Sequence, residues 1–80
     1  MAIAEGTVTV TVDARGLSCP MPIVRTAQAV KSLPSGALIE VLATDPGSVK
    51  DFAAWSRSTG NELLSQSVDG AVHRFLIRRK

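Results

Sequence analysis

The sequence predicts an α+β domain, a two-layer sandwich in which two helices cover one face of a four-stranded mixed sheet in the order βαβαββ. Three features predict this fold: alternating threonine and valine at residues 7–12, a proline pair that opens an amphipathic segment, and an Asp-Gly pair between two short apolar runs. The chain has 80 residues, of which 45% are hydrophobic and 20% charged. These proportions suit one domain spanning residues 1–80.

The first half of the chain predicts a strand followed by a helix. Residues 7–12 alternate strictly in β-branched side chains, which favours a strand with one buried face. Gly16 marks a tight connection, and the Cys-Pro-Met-Pro segment at 19–22 is predicted to start the helix, because proline fits a first helical turn. The helix should end near Leu33, before Pro34. Its predicted apolar stripe consists of Ile23, Ala27 and Val30.

The middle of the chain predicts a second strand and a second helix. Residues 37–43 are apolar apart from Glu40, which predicts a strand more buried than the first. Asp45 and Ser48 are candidate N-caps for the helix that follows, and Gly60 should end it. The apolar face of this helix is predicted to hold Val49, Phe52, Ala53 and Ser56. A helix between two strands makes those strands parallel.

The end of the chain predicts a β-hairpin. Residues 63–68 and 71–77 flank Asp69-Gly70, a pair preferred in type I′ turns. The hairpin adds an antiparallel pair to the sheet.

Composition excludes several classes of chemistry. A single cysteine excludes an internal disulfide, a CxxC redox pair and a multi-cysteine zinc site, and a single histidine removes most mixed ligand sets. We therefore expect no metal and no cofactor. The sequence has no secretory signal pattern at its start and no apolar run long enough to span a membrane, so we expect a cytoplasmic location without a membrane partner.

The charge balance favours no obligatory nucleic-acid partner. The net charge is only +2, from nine Lys and Arg against seven Asp and Glu. The late basic residues are expected to keep a strand end solvated rather than to bind a partner. They are Arg74, Arg78, Arg79 and Lys80.

The single thiol is the candidate reactive group. Cys19 lies beside the predicted start of the first helix, where unpaired N–H groups and the helix dipole favour negative charge. This position predicts an exposed thiol with a lowered pKa. The alternative is a small buried residue, which is what most free cysteines are.

Several segments of the chain resemble the TusA/SirA family of sulfur carrier proteins. They are residues 12–22 with the family's CPxP motif, residues 42–48, residues 60–64 and residues 74–78. The resemblance implies a βαβαββ sandwich and a persulfide on Cys19. It further implies a sulfur donor, such as a cysteine desulfurase or a rhodanese, and an acceptor protein in tRNA thiolation, cofactor biosynthesis or sulfur oxidation. Met21 and Ala27-Gln28 depart from the tRNA-thiolation members, which carry an acidic residue and a basic pair there.

The candidate docking surface surrounds the cysteine. It comprises Arg15, Gly16, Leu17, Pro20, Met21, Pro22 and Asp45. For Asp45, a role as a helix cap is favoured over support of the cysteine loop. Arg15 could attract an anionic sulfur or simply be solvated, and the sequence favours neither. Trp55 is expected to seal a core edge and His73 to be solvated.

Two rival functions stay open. The first is a nucleic-acid-binding or regulatory module that uses the basic C-terminal strand, although the chain has few phosphate-binding groups and no tyrosine for base stacking. The second is a structural interaction domain in which Cys19 is inert.

Overall fold

The computed structural model describes residues 8–80, and the predicted order of elements is confirmed. The elements are β1 (Val8–Ala14), α1 (Met21–Lys31), β2 (Leu38–Ala43), α2 (Ser48–Thr59), β3 (Glu62–Asp69) and β4 (Val72–Arg78). Thr7, the predicted start of the first strand, lies outside the described residues. Within residues 8–80, neither helix has the length and apolar character needed to cross a membrane.

The four strands form one mixed sheet in the order β1-β2-β4-β3. β1 and β2 are parallel, as predicted, and β4 is antiparallel to both β2 and β3. The last strand therefore lies inside the sheet and β3 at its edge. Phe75 and Ile77 of β4 are fully buried, whereas β3 is exposed along most of its length. The more apolar strand takes the central position because its side chains gain most from burial.

One buried cluster joins the helices to the sheet. Its members are Val12, Val30, Ile39, Val41, Ala43, Phe52, Phe75 and Ile77. The ring of Phe52 lies 4.7 Å from that of Phe75 and 6.0 Å from that of Trp55, between centroids. Trp55 packs against this cluster half-exposed, so the prediction that it seals the core edge is confirmed.

The buried face of α1 differs from the predicted stripe. Pro22, Thr26 and Val30 are its buried residues, while Ile23 and Ala27 are half-buried. The Thr26 hydroxyl donates to the Pro22 carbonyl at 2.9 Å, which satisfies its hydrogen bond inside the core. The buried face of α1 therefore includes a threonine, where apolar periodicity predicts only hydrophobic residues. The helix ends at Lys31, slightly before the predicted Leu33.

The caps of α2 confirm one prediction and correct another. Gly60 ends the helix with φ at 82°, a left-handed conformation that favours glycine. At the other end the N-cap is Gly47, and neither Asp45 nor Ser48 caps the helix through its side chain. Ser48 is instead the first helical residue and is buried.

The hairpin turn lies one residue later than predicted. Asp69 pairs with Val72, which leaves Gly70 and Ala71 as the turn. Gly70 has a φ of 62°, and no residue other than glycine has a positive φ between residues 8 and 80. This pattern matches a type II′ turn rather than type I′, because type I′ needs positive φ at both central residues. β3 also has a register shift against β4 between Leu63 and Ser65, at the end of the hairpin away from the turn.

Candidate functional site

Cys19 lies at the sheet edge where β1 and β2 end. Parallel strands end at the same edge, so the loops that follow β1 and β2 are neighbours. The N–H of Gly16 donates to the Thr44 hydroxyl at 2.9 Å and ties these loops together. Gly16 has a φ of 80°, which turns the chain tightly after β1. Cys19 is exposed in this loop, as expected from its position between elements.

Asp45 anchors the cysteine loop. Its Oδ2 accepts a hydrogen bond from the Cys19 N–H at 2.8 Å, and its Oδ1 accepts one from the Gly47 N–H at 3.1 Å. The carbonyl of Asp45 also accepts from the Ser48 hydroxyl at 2.6 Å. One residue thus fastens Cys19 to the start of α2. The preference for Asp45 as a helix cap is wrong, because its carboxylate bonds the cysteine loop and the residue before the helix.

Cys19 stands just outside the first turn of α1. Pro20 is the N-cap of this helix, the Cys19-Pro20 peptide bond is cis, and no side chain caps the helix. The Met21 N–H donates to the Ser18 carbonyl at 2.8 Å, and the Val24 N–H to the Pro20 carbonyl at 3.0 Å. The proline-started helix is confirmed, with its first helical residue at Met21.

The electrostatics at the sulfur oppose the predicted thiolate. The pKa of the Cys19 thiol is raised, chiefly by the Asp51 carboxylate, and further by desolvation and by the charge of Asp45. The prediction of a lowered pKa is therefore wrong. The helix N-terminus supplies only partial positive charge, whereas α2 and the turn before it supply two carboxylates.

Arg15 is paired with a carboxylate on β1. Its Nε lies 2.8 Å from Asp13 Oδ1 and its Nη2 2.9 Å from Asp13 Oδ2, a bidentate pair. The backbone N–H of Arg15 also donates to Asp13, at 3.1 Å. These contacts lower the pKa of Asp13 to about 2. The pairing of the guanidinium with Asp13 argues against its attracting an anionic sulfur.

Replacing Arg15 by alanine is expected to raise the pKa of Asp13 from about 2 toward its ordinary value of 3.8. The rise should be incomplete, because the backbone N–H at position 15 still donates. A carbon-13 NMR titration of the Asp13 carboxyl measures the change. Arg74→Ala, which removes the partner of Glu40, is the matched control and should leave Asp13 unchanged. An unchanged midpoint in Arg15→Ala would contradict the pairing.

The predicted docking surface is partly buried. Pro22 is among the most deeply buried side chains, so its placement on that surface is corrected: it packs in the core. Leu17 is half-buried. Met21 keeps 43% of its surface exposed, and Pro20 and Gly16 are exposed as well. The open rim around Cys19 therefore consists of Arg15, Gly16, Pro20 and Met21.

Asp51 is not among the residues that the sequence predicts for the site. This residue lies in the first turn of α2, where its N–H donates to the Gly47 carbonyl at 3.1 Å. A signal was available, because both helices follow strands that end at one edge of the sheet, so their first turns should be neighbours. An acidic residue in the first turn of α2 could therefore have been expected near the start of α1.

His73 is not the solvated residue that the sequence predicted. It is half-buried, and its ring stacks on Phe75 with centroids 6.4 Å apart. It lines a groove between α2 and the hairpin together with Val49, Gln66, Ser67, Val68 and Phe75. The alternation along β4 explains this, because residue 73 faces the same side as Phe75 and Ile77.

No group of three or more potential metal ligands occurs in the described part of the chain. The nucleophile that the structure exposes at this edge is the Cys19 thiol, whose backbone N–H donates to the Asp45 carboxylate.

Comparison with known proteins identifies the family. The family model for sulfurtransferase TusA matches residues 10–79. The chain is 48% identical to the sulfur carrier protein TusA of Allochromatium vinosum over 67 residues, 84% of this chain and 88% of that protein. It is 51% identical to a putative sulfur carrier protein of Bacillus subtilis over 67 residues, 84% of this chain and 89% of the relative.

The fold has a counterpart among solved structures. The crystal structure of a SirA-like protein from Desulfitobacterium hafniense superposes with a TM-score of 0.78 at 25% identity, covering 88% of this chain and 96% of that one. The sequence matches extend over most of the chain and include the loop that holds Cys19. The chain belongs to the TusA sulfurtransferase family.

Proposed function

We propose that this protein is a sulfur carrier that holds sulfane sulfur as a persulfide on Cys19 and relays it from a donor protein to an acceptor protein. The observation that carries the proposal is an exposed cysteine, the only one in the chain, at the start of α1 in a TusA-family fold. The relatives named as sulfur carriers support it.

Two displacements at sulfur account for the relay. In loading, the Cys19 thiolate attacks the outer sulfur of a donor persulfide, a new S–S bond forms, and the donor cysteine leaves as a thiolate. In unloading, an acceptor thiolate attacks the outer sulfur on Cys19, and Cys19 leaves as a thiolate. The sulfane sulfur keeps its oxidation state throughout, so the relay needs no cofactor.

The raised pKa of Cys19 affects both displacements. It lowers the fraction of thiolate at neutral pH, although each thiolate is a stronger nucleophile. It also makes Cys19 a poorer leaving group during unloading. A partner that lowers this pKa on docking would speed both steps.

The partners of the relay are proposed to be proteins that dock on the rim around Cys19. The donor is a cysteine desulfurase or a rhodanese, and the acceptor belongs to tRNA thiolation, cofactor biosynthesis or sulfur oxidation. Met21, exposed beside the thiol, is the apolar contact on this rim. Because the thiol must be free after each round, a reducing compartment such as the cytoplasm suits the relay.

The test is mass spectrometry of the intact chain after incubation with a cysteine desulfurase and cysteine, or with a rhodanese and thiosulfate. The expected result is an added mass of one or more sulfur atoms, mapped to the peptide that contains Cys19 and lost when an acceptor thiol protein is added. Protein alkylated beforehand with iodoacetamide is the control, because Cys19 is its only thiol. Absence of added sulfur with every donor class would overturn the proposal.

The contacts of the basic C-terminal strand disfavour the nucleic-acid alternative. Arg74 pairs with Glu40 at 3.0 Å, and Arg78 pairs with Glu62. Arg79 donates through its Nε to the Val30 carbonyl at 2.8 Å. These side chains have partners within the protein, so fewer charges are left for phosphate groups. RNA binding that falls with salt and survives Cys19→Ala would instead favour this alternative.

The rate of alkylation does not separate the inert-cysteine alternative from the carrier. Slow alkylation at neutral pH is expected for an inert thiol, but the raised pKa of Cys19 predicts the same slow reaction for the carrier. Sulfur uptake from a protein donor separates the two, because an inert cysteine takes up none.

A further inference from the structure

We propose that Thr44 and Asp45, the two residues after β2, are positioning residues for sulfur transfer. They hold the cysteine loop, residues 15–20, in the conformation in which Cys19 exchanges sulfur with a partner protein. This inference rests on the proposed function, because the exchange in question is the relay on Cys19. It adds that the connection between β2 and α2 sets the conformation of the reactive loop.

Two hydrogen bonds join the cysteine loop to this connection. The N–H of Gly16 donates to the Thr44 hydroxyl at 2.9 Å. The N–H of Cys19 donates to Asp45 Oδ2 at 2.8 Å. The two acceptors are adjacent in the sequence, and the two donors stand at the ends of the segment 16–19. That segment is therefore fastened at both ends to one short stretch of chain.

The cysteine loop has few other constraints. Leu17 is half-buried, whereas the other residues from 15 to 20 are exposed. Two further backbone bonds, donated by Leu17 and Met21, stay within residues 14–21. Exposed loops with little buried surface open readily. The orientation of the Cys19 backbone therefore depends on the two bonds to the neighbouring connection.

The connection after β2 is itself held in place. Ala43, the residue before Thr44, is fully buried and pairs with both neighbouring strands. The carbonyl of Asp45 accepts from the N–H of Ser48 at 3.0 Å and from the Ser48 hydroxyl at 2.6 Å. Ser48 is buried at the start of α2. The positions of both acceptor side chains are thus set by β2 and α2, which pack on the core.

Sulfur transfer between two proteins requires a fixed loop. In each displacement the attacking thiolate, the outer sulfur and the leaving sulfur must be aligned, and a docked partner fixes only its own part of this geometry. Misplacement of reacting groups by about 1 Å can lower a rate about a hundredfold. A small reagent approaches an exposed thiol from many directions, so its reaction does not need the loop to be fixed. Loss of either hydrogen bond should therefore slow loading by a protein donor without slowing alkylation.

The test compares sulfur loading by a cysteine desulfurase with alkylation by iodoacetamide, in the full chain, for the wild type, Thr44→Val and Asp45→Ala. Valine has the shape of threonine but no hydroxyl, and alanine lacks both carboxylate oxygens. We expect each variant to lose about tenfold or more in kcat/KM for loading. The alkylation rate on the high-pH plateau, where the thiol is fully ionised, should stay within about twofold of the wild type.

Conservative variants separate the hydrogen bonds from charge and from general damage. Thr44→Ser keeps the hydroxyl, and Asp45→Asn keeps an oxygen that accepts from the Cys19 N–H but lacks the charge. Both should recover most of the loading rate. Thr11→Val is the matched control, because it removes a hydroxyl that donates to Glu40 at 3.0 Å between β1 and β2, not at the cysteine loop. It should load like the wild type.

Amide hydrogen exchange followed by NMR measures the loop directly. We expect the Gly16 N–H to exchange about tenfold faster or more in Thr44→Val, and the Cys19 N–H to do so in Asp45→Ala. Unchanged exchange at these amides would overturn the inference. If Asp45→Ala does not fold, Thr44→Val carries the test, because it keeps the size and shape of the side chain.

Three results with a wild type that takes up sulfur would overturn the inference and leave the carrier function standing. The first is loading of Thr44→Val at the wild-type rate. The second is an Asp45→Asn variant as slow as Asp45→Ala, which would show that charge and not the hydrogen bond matters. The third is plateau alkylation that falls as far as loading. If no donor loads the wild type, the proposed function fails and the positioning role fails with it.

Discussion

A chain with Cys19→Ser is expected to take up no sulfur from any donor and to deliver none to an acceptor. Serine keeps the shape of the side chain, but its oxygen cannot form the S–S bond on which both displacements depend. Cys19 is exposed, so the substitution should leave the free energy of unfolding within about 0.5 kcal/mol of the wild type. Intact-protein mass spectrometry measures the loss, and urea unfolding verifies the fold.

A relocated thiol shows whether the position of the sulfur matters. The double variant Ser18→Cys with Cys19→Ser moves the only thiol by one residue, away from the backbone contact with Asp45. We expect this thiol to react with iodoacetamide but to lose most donor-driven loading. Sulfur bound to Cys19→Ser would place the carrier site elsewhere. Equal loading of the relocated thiol would show that any exposed cysteine in this loop suffices.

Replacing Phe52 by alanine is expected to lower the free energy of unfolding by about 3–5 kcal/mol. Phe52 is fully buried, and its ring contacts those of Phe75 and Trp55 across the interface between α2 and the sheet. The truncation loses apolar burial and leaves a cavity at the centre of the core. Because the stability of a small domain is about 5–15 kcal/mol in total, the loss is a large fraction of it.

Two matched variants make the Phe52 measurement decisive. Val68→Ala truncates a side chain that is 61% exposed and should change stability by about 0.5 kcal/mol or less. Phe52→Leu keeps most of the apolar volume and provides a folded variant if the alanine variant does not fold. Urea unfolding monitored by circular dichroism measures all three. A Phe52→Ala cost no larger than that of Val68→Ala would contradict the assignment of Phe52 to the core.

Local patterns were sufficient to predict the order of elements. The alternation in β1, the prolines at the start of α1 and the left-handed Gly60 after α2 depend on neighbouring residues alone. The details that failed depend on contacts that these patterns do not show. Thr26 is buried in α1, where its hydroxyl donates to the Pro22 carbonyl, and the hairpin turn lies at Gly70-Ala71, where Asp69 pairs with Val72.

The candidate site, too, could be predicted from local sequence only in part. Cys19 stands out in the sequence as a single thiol beside a helix start, and the fold places it in an exposed loop. The environment of its sulfur could not be predicted from that loop. Asp51 lies in the first turn of α2 and Asp45 in the connection before it, and both act to raise the pKa of the thiol, whereas the helix dipole acts to lower it.

The sequence by itself determined the elements, their order, the parallel pairing of β1 with β2, and the position of the thiol at the start of a helix. Periodicity, prolines and glycines act over a few residues, so they can be interpreted without a structure. Only the tertiary structure decided that β4 lies inside the sheet, that Pro22 is buried, and that the Asp45 carboxylate bonds the backbone of Cys19. Each of these features depends on contacts between segments that are far apart in the sequence. Patterns within a few residues carry no information about such contacts.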